Sequence, residues 1–170
     1  MYEAKGGRGV EIEREEGRAQ DVVTSYAKSL VRLAFTYVKN EQDAEDVVQE
    51  VFLAWLRAAK SFSGAEHEKA WLIRATINRC RNLVRSRWFR GRHPLTDGLF
   101  RLEPKESALV EAVLELDEKY RLPIHLHYYE GYGIAEIAAM LGEKPATIGT
   151  RLARGRERLR QKIGGMPDEE

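Results

Sequence analysis

One cysteine, Cys80, stands among 170 residues, so no disulfide can form within the chain and a disulfide-stapled scaffold is excluded. No apolar run approaches the roughly 20 residues that a membrane-spanning helix needs. The opening stretch, 1–18, has no apolar segment resembling a signal peptide. Strand-like alternation is nearly absent, and so are a Gly-rich phosphate loop and a nucleophile–base pattern. The histidines do not make a metal site by spacing: His125 and His127 are two apart on a helix and point in different directions, while His67 and His93 stand in loops without a matching carboxylate or cysteine motif. These absences predict a protein that is not an enzyme, holds no metal or cofactor, has no membrane insertion and stays in the cytoplasm.

What is present is charge, and it is partitioned. Hydrophobic residues make up 43% and charged residues 32%, with a net charge of only +1. Between Trp71 and Arg92 there are arginines at 74, 79, 81, 85, 87, 90 and 92 and no acid. Between Lys144 and Lys162 seven basic side chains face Glu157 alone; the acids gather instead in 41–50 and 103–118. Two separate basic segments suggest two contacts with a polyanion. Solvated helix faces are the ordinary meaning of such runs, so the placement of the arginines decides.

Helical periodicity recurs from Asp21 onward. Residues 1–20 read as a charged, glycine-containing disordered arm. The first helix is predicted over Asp21–Val38, with Val23, Tyr26, Leu30, Leu33 and Tyr37 on one side. A second runs from Glu41 to Ala59, with a stripe of Ala44, Val47, Val48, Val51, Phe52, Trp55 and Leu56. A third runs from Glu68 to Phe89. Residues 91–106 hold two glycines and two prolines without periodicity and form the linker between domains 21–90 and 107–165. Beyond it come helices over Ser107–Leu116, from Asp117 as N-cap to Gly131, over Ile134–Leu141, and from Pro145 to Ile163. The chain is therefore expected to be all-α, with two small helical domains joined by a flexible linker.

The short helix, Gly142 and the last helix have the layout of a helix-turn-helix. At about 100° per residue, Ile148, Leu152, Gly155, Leu159 and Ile163 share one side of the last helix. Thr147, Thr150, Arg151, Arg154 and Arg158 share another. Arginine bonds bidentately to guanine, and threonine reaches phosphates, base edges or a thymine methyl. Thr147, Thr150, Arg151 and Arg154 are expected near bases, with Arg158, Arg156, Arg160 and Lys162 toward backbone or solvent. In the third helix, Ile73, Ile77, Cys80, Val84 and Trp88 form the expected core face. Arg74, Asn78, Arg81 and Arg85 form an outward stripe with Trp71 and Asn82 at its edge, a surface suited to partly opened DNA. Core packing is an equal reading of Trp71, and solvation is the preferred reading of Arg79, Arg87 and Arg90. The polar segment 60–69 is weakly suited to holding an extruded base.

These pieces, in this order, resemble the sigma-70 superfamily of bacterial transcription initiation factors, specifically its extracytoplasmic-function (ECF) group. The run DAEDVVQEVF at 43–52 with Trp55 resembles the family's helix for core RNA polymerase. KAWLIR at 69–74, followed by Asn78 and an Arg-rich tail, resembles its promoter-melting and −10-recognition helix. LDEKYRLP at 116–123, YEG at 129–131, EIA at 136–138, LG at 141–142 and TRLARGRERL at 150–159 resemble its −35-binding domain. The resemblance implies a sigma factor that binds core RNA polymerase through Asp46, Gln49 and Glu50. It implies −10 contacts from Trp71, Arg74, Asn78, Arg81 and Arg85, and −35 contacts from Thr147, Thr150, Arg151, Arg154 and Arg158. It also implies an anti-sigma factor as a further partner. Two positions depart from the family pattern: Glu68 stands where many members carry an aromatic, and Gly149 and Thr150 stand where lysine and serine are common. A helix-turn-helix repressor or response-regulator output domain would explain 107–163 but not the acidic-tipped second helix or the first Arg/Asn helix. A metal-dependent nuclease lacks its ligands.

Overall fold

Long runs of good helix formers, broken by single residues that cannot continue a helix, set the architecture. In a computed structural model, residues 6–58, 62–89 and 104–163 are described. Among them are seven helices and no strand: α1 (Gly6–Val38), α2 (Glu41–Ala58), α3 (Ala65–Phe89), α4 (Pro104–Leu114), α5 (Glu118–Tyr128), α6 (Ile134–Leu141) and α7 (Pro145–Ile163). The helix starts differ from the sequence reading. α1 begins at Gly6 rather than Asp21, so the arm expected to be disordered at 1–20 is helical from Gly6 onward. Its Glu, Arg, Ala and Gln content favours helix without any packed face, and side chains 11–18 are all exposed. α3 begins at Ala65 rather than Glu68, and α4 at Pro104, a residue suited to a first helical turn. The expected linker lies outside the described residues through 103.

Lys39, with φ 53°, ends α1, and Asn40 starts α2. Its Oδ1 accepts the Asp43 backbone N–H at 2.9 Å, and its carbonyl accepts that of Ala44 at 3.0 Å. α1, α2 and α3 pack together as a three-helix unit. Leu30, Leu33, Ala44, Val48, Val51, Trp55, Leu72, Ile73, Ile77 and Cys80 form its interior. All side chains from Leu33 to Val38 are buried because α2, α3 and α5 surround that end of α1. Some expected core positions fall outside. Val22 is buried in place of Val23, and Leu56 is 53% exposed. Val84 is 40% exposed because the last turns of α3 run past the end of α1.

Polar groups lock this unit as well. Glu68, buried, accepts hydrogen bonds at 2.9 Å from both Trp55 Nε1 and Arg18, whose guanidinium lies 5.8 Å above the Trp55 ring. Asp43 takes a bidentate bond from Arg87, one arm at 2.6 Å, and Arg79 pairs with Glu50. Arg79 and Arg87, expected to be merely solvated, therefore join α3 to α2.

In the second half, α4, α5 and α6 all pack on α7. Ile148, Leu152, Gly155 and Leu159 face inward, while Ile163 and Ile134 lie at the margin, 36% and 40% exposed. At Gly155 a Cβ would come within 3.0 Å of Ile124 Cγ1, so glycine permits the close approach of α5 and α7. Asp117 stands at the N-cap of α5 without a side-chain cap bond. Buried Arg121 satisfies the end of α4 by donating to the Leu114 and Leu116 carbonyls at 3.0 and 2.8 Å. Gly142 (φ 66°) closes α6 and turns the chain into α7.

The halves touch through α1 with α5 and α3 with α6. There Glu130 binds the Ser29 hydroxyl and lies 3.6 Å from Lys69 and 3.7 Å from His125. Lys69 also sits 5.1 Å over the Tyr132 ring.

Candidate nucleic-acid interface

On α3 the apolar side is occupied by Leu72, Ile73, Thr76, Ile77 and Cys80, which forces the remaining positions outward. Arg74, Asn78, Arg81 and Arg85 are all exposed on one strip of that helix. Arg74 and Asn78 have no hydrogen-bond or ion-pair partner among the described residues. Arg85 donates to Asn82 at 3.0 Å, and Arg81 Nε donates to Glu118 of α5 at 3.1 Å. Trp71 is half-buried and packs edge-on against Phe62, centroids 5.5 Å apart, with Phe62 in turn against His67. Its ring therefore belongs partly to the core and partly to the loop edge. Ser61 and Lys60, at the start of that loop, lie outside the described residues.

On α7 the outward side carries Thr147, Thr150, Arg151 and Arg154, which line a groove of about 390 Å³ together with Ala146 and with Lys119 and Tyr120 of α5. Thr150 Oγ1 bonds back to the Ala146 carbonyl at 3.0 Å, and Arg151 pairs with Glu143 at 2.9 Å. Arg158 lies 4.7 Å over the Tyr120 ring and 3.9 Å from Asp117. Arg156 reaches the Tyr128 hydroxyl at 3.3 Å, Arg160 pairs with Glu157 and Lys162 with Glu115. Arg81 of α3 and Arg151 of α7 line one cleft together with Glu118 and Glu143.

α2 presents a different surface. Asp46, Gln49 and Glu50 are exposed beside Leu53 and Leu56, which are 57% and 53% exposed. Asp46 accepts from Gln42 at 3.1 Å, and Glu50 is shared with Arg79. A mixed acidic and apolar patch of this kind fits a protein partner rather than a polyanion.

The remaining candidates for chemistry are structural. Burial pushes the Cys80 thiol up to about 12, so it stays protonated. His125 is buried and stacks on Tyr129 with centroids 5.1 Å apart, and His127 Nδ1 lies 2.8 Å from the Tyr132 carbonyl. No group of three or more potential metal ligands occurs among the described residues, and no described helix is long and apolar enough to cross a membrane. Sequence reasoning missed Lys119 and Tyr120, because they stand on a different helix from the basic stripe. The available signal was the Lys119–Tyr120 pair directly after Asp117 and Glu118.

Two family models match the chain: sigma-70 region 2 over residues 22–90 and sigma-70 region 4 over residues 106–159. RNA polymerase sigma factor SigV of Bacillus subtilis is 29% identical over 81% of this chain and 86% of its own length. ECF RNA polymerase sigma factor SigW of the same organism is 28% identical over 84% and 87%. Among solved structures, the sigma factor RpoE in complex with the anti-sigma factor NepR from Bartonella quintana shares the fold with a TM-score of 0.72, at 23% identity over 87% of this chain and 98% of that one.

Proposed function

The chain belongs to the ECF group of sigma-70 family RNA polymerase sigma factors, and from that membership we propose that it binds core RNA polymerase in the cytoplasm, directs promoter-specific initiation and helps to open promoter DNA. It performs no covalent chemistry. One observation carries the division of labour: each half turns one polar strip outward, Arg and Asn on α3 and Thr and Arg on α7, while the apolar sides of the same helices build the interiors.

In this reading residues 21–90 and 107–165 act as separate recognition units. Asp46, Gln49 and Glu50, with Leu53 and Leu56 beside them, dock on the polymerase. Trp71, Arg74, Asn78, Arg81 and Arg85 hold the −10 element as it opens, since arginine neutralises phosphates while an amide and an aromatic edge suit unstacked bases. Thr147, Thr150 and Arg151 enter the major groove of the −35 element; Arg154, which spacing alone put near bases, lies beside Tyr120 toward the next turn and is assigned with Arg158 to the backbone. Free energy from binding the opened strand offsets the unstacking of its bases. An anti-sigma factor is the further partner, as for the RpoE structure described above.

A repressor that uses only the helix-turn-helix is not favoured, because the family match extends through α1–α3. The direct test is run-off transcription on a genomic library with purified core polymerase and this protein. Selective initiation that depends on the protein is expected. Tight, specific duplex binding by the isolated protein, with no effect on polymerase, would overturn the reading.

A further inference from the structure

α7 does not carry its basic face alone: one aromatic side chain of α5 stands beneath it. Tyr120 is seated where Gly155 lets α5 and α7 approach, its Cβ 3.5 Å from where a Cβ at Gly155 would lie, and the residue is only 5% exposed. Lys119 Nζ lies 5.0 Å over its ring and the Arg158 guanidinium 4.7 Å over it. Arg154 lines the grooves on both sides together with Tyr120. Burial pulls the phenol upward, but Lys119, Arg154 and Arg158 outweigh it and hold it below its ordinary value, as expected of a ring surrounded by cations. Tyr120 also lines the grooves on both sides, one with Thr147, Thr150 and Arg151, the other with Arg158 and Lys162.

The partners of these cations differ. Arg158 has Asp117, Arg160 has Glu157 and Lys162 has Glu115. Lys119 and Arg154 have no carboxylate within ion-pairing distance among the described residues; Lys119 lies over the Tyr120 ring instead, and Arg154 lines the same grooves as that ring. An aromatic restrains a long cation without neutralising it, so the charge stays available to a phosphate while less side-chain freedom remains to be lost on binding. We propose that Tyr120 is a positioning residue that fixes Arg154 and Arg158 for phosphate contact, and that Lys119 is a further phosphate-contacting residue. The upstream DNA surface thereby extends from α7 onto α5. This rests on the reading of α7 as the −35 helix.

The test uses full-length protein with core polymerase and the promoter fragment that the wild-type complex retains best from a pool of random duplexes. Binding is measured across a salt series. Lys119→Gln is expected to reduce the slope of log K against log salt by about 1 with sequence preference unchanged. Tyr120→Phe keeps the ring and the helix seam but loses the hydroxyl. It is expected to bind roughly two- to tenfold more weakly with its melting temperature unchanged, and to have no further effect when Arg154→Ala is already present. An unchanged slope in Lys119→Gln overturns the phosphate contact. A Tyr120→Phe effect of equal size with or without Arg154 overturns the positioning role. Wild-type retention that ignores salt would sink the promoter reading itself, whereas normal wild-type behaviour with silent variants sinks only this inference.

Discussion

Glu118→Gln should strengthen promoter binding. Arg81 donates to the Glu118 carboxylate at 3.1 Å, and the two side chains are 44% and 45% exposed. An ion pair in that setting contributes about 0.2–1 kcal/mol because water and salt screen it and two side chains must be held still. If Arg81 leaves Glu118 to meet DNA, that amount is lost on binding, and neutralising Glu118 removes the loss. The expected gain is therefore about 1.4- to 5-fold in affinity, with a stability change no larger than the pair itself. Fluorescence anisotropy of labelled promoter with reconstituted holoenzyme measures the first quantity, and urea melts measure the second. A general electrostatic effect of removing one negative charge would give a similar sign, so the decisive comparison is a double-mutant cycle. In an Arg81→Gln background the benefit of Glu118→Gln should vanish. A benefit that persists undiminished there would show that Arg81 does not exchange Glu118 for DNA, and its assignment to the −10 surface would fall.

Arg151→Ala should relax specificity at the upstream element and weaken binding by about 1–3 kcal/mol if its base contact is bidentate; a binding-site selection that returns the wild-type preference refutes the role. Although burial raises the Glu130 carboxyl, the nearby His125 ring, the hydrogen bond from the Ser29 hydroxyl and the charge of Lys69 hold it below its ordinary value. Its folded pKa is thus depressed, so its stabilisation is complete above the unfolded value of about 4.3 and disappears as pH falls through the folded one. Glu130→Gln should flatten the acid limb of the pH–stability curve, and an unaltered limb contradicts this. Cys80, buried and with its thiol pushed up to about 12, should resist alkylation in the native protein and react once urea unfolds it, as intact-mass measurements can show.

The helix count and the apolar stripes were legible because the 3.6-residue period writes a buried face directly into the sequence. Ile148, Leu152, Gly155 and Leu159 were placed on one side by spacing alone, and all are buried. Periodicity does not say where the neighbouring helix stops. Leu56 and Val84 lie on or beside their stripes yet stay exposed: Leu56 follows Trp55, which is 1% exposed, and about 100° of helix rotation turns it away from the interior. Nor does it distinguish an arginine pointing to solvent from one pointing at a carboxylate on another helix. Arg87, off the Arg74 stripe and read as solvated, grips Asp43 across the α2–α3 contact. The outward stripe of Arg74, Asn78, Arg81 and Arg85 was readable because it is local to one helix. The contributions of Glu118, Lys119 and Tyr120 depend on how α5 packs and were not.

Glu68 shows how a departure from a family pattern can become part of the framework. A carboxylate at a position 7% exposed is unfavourable unless it is bonded, since burial strips its hydration. Here the indole N–H of Trp55 and the guanidinium of Arg18 both reach Oε1 at 2.9 Å, one from α2 and one from α1. Arg18 lies in the part of α1 that the sequence alone assigned to a disordered arm. The carboxylate therefore gives the N-terminal stretch of α1 a reason to order: it supplies the partner that a purely solvated Glu/Arg helix lacks. An aromatic at 68 would offer Arg18 no anion and leave the buried Trp55 N–H without its acceptor. Glu68 in α3 and the anchoring of Arg18 on α1 are thus one structural feature, which neither segment of sequence shows by itself.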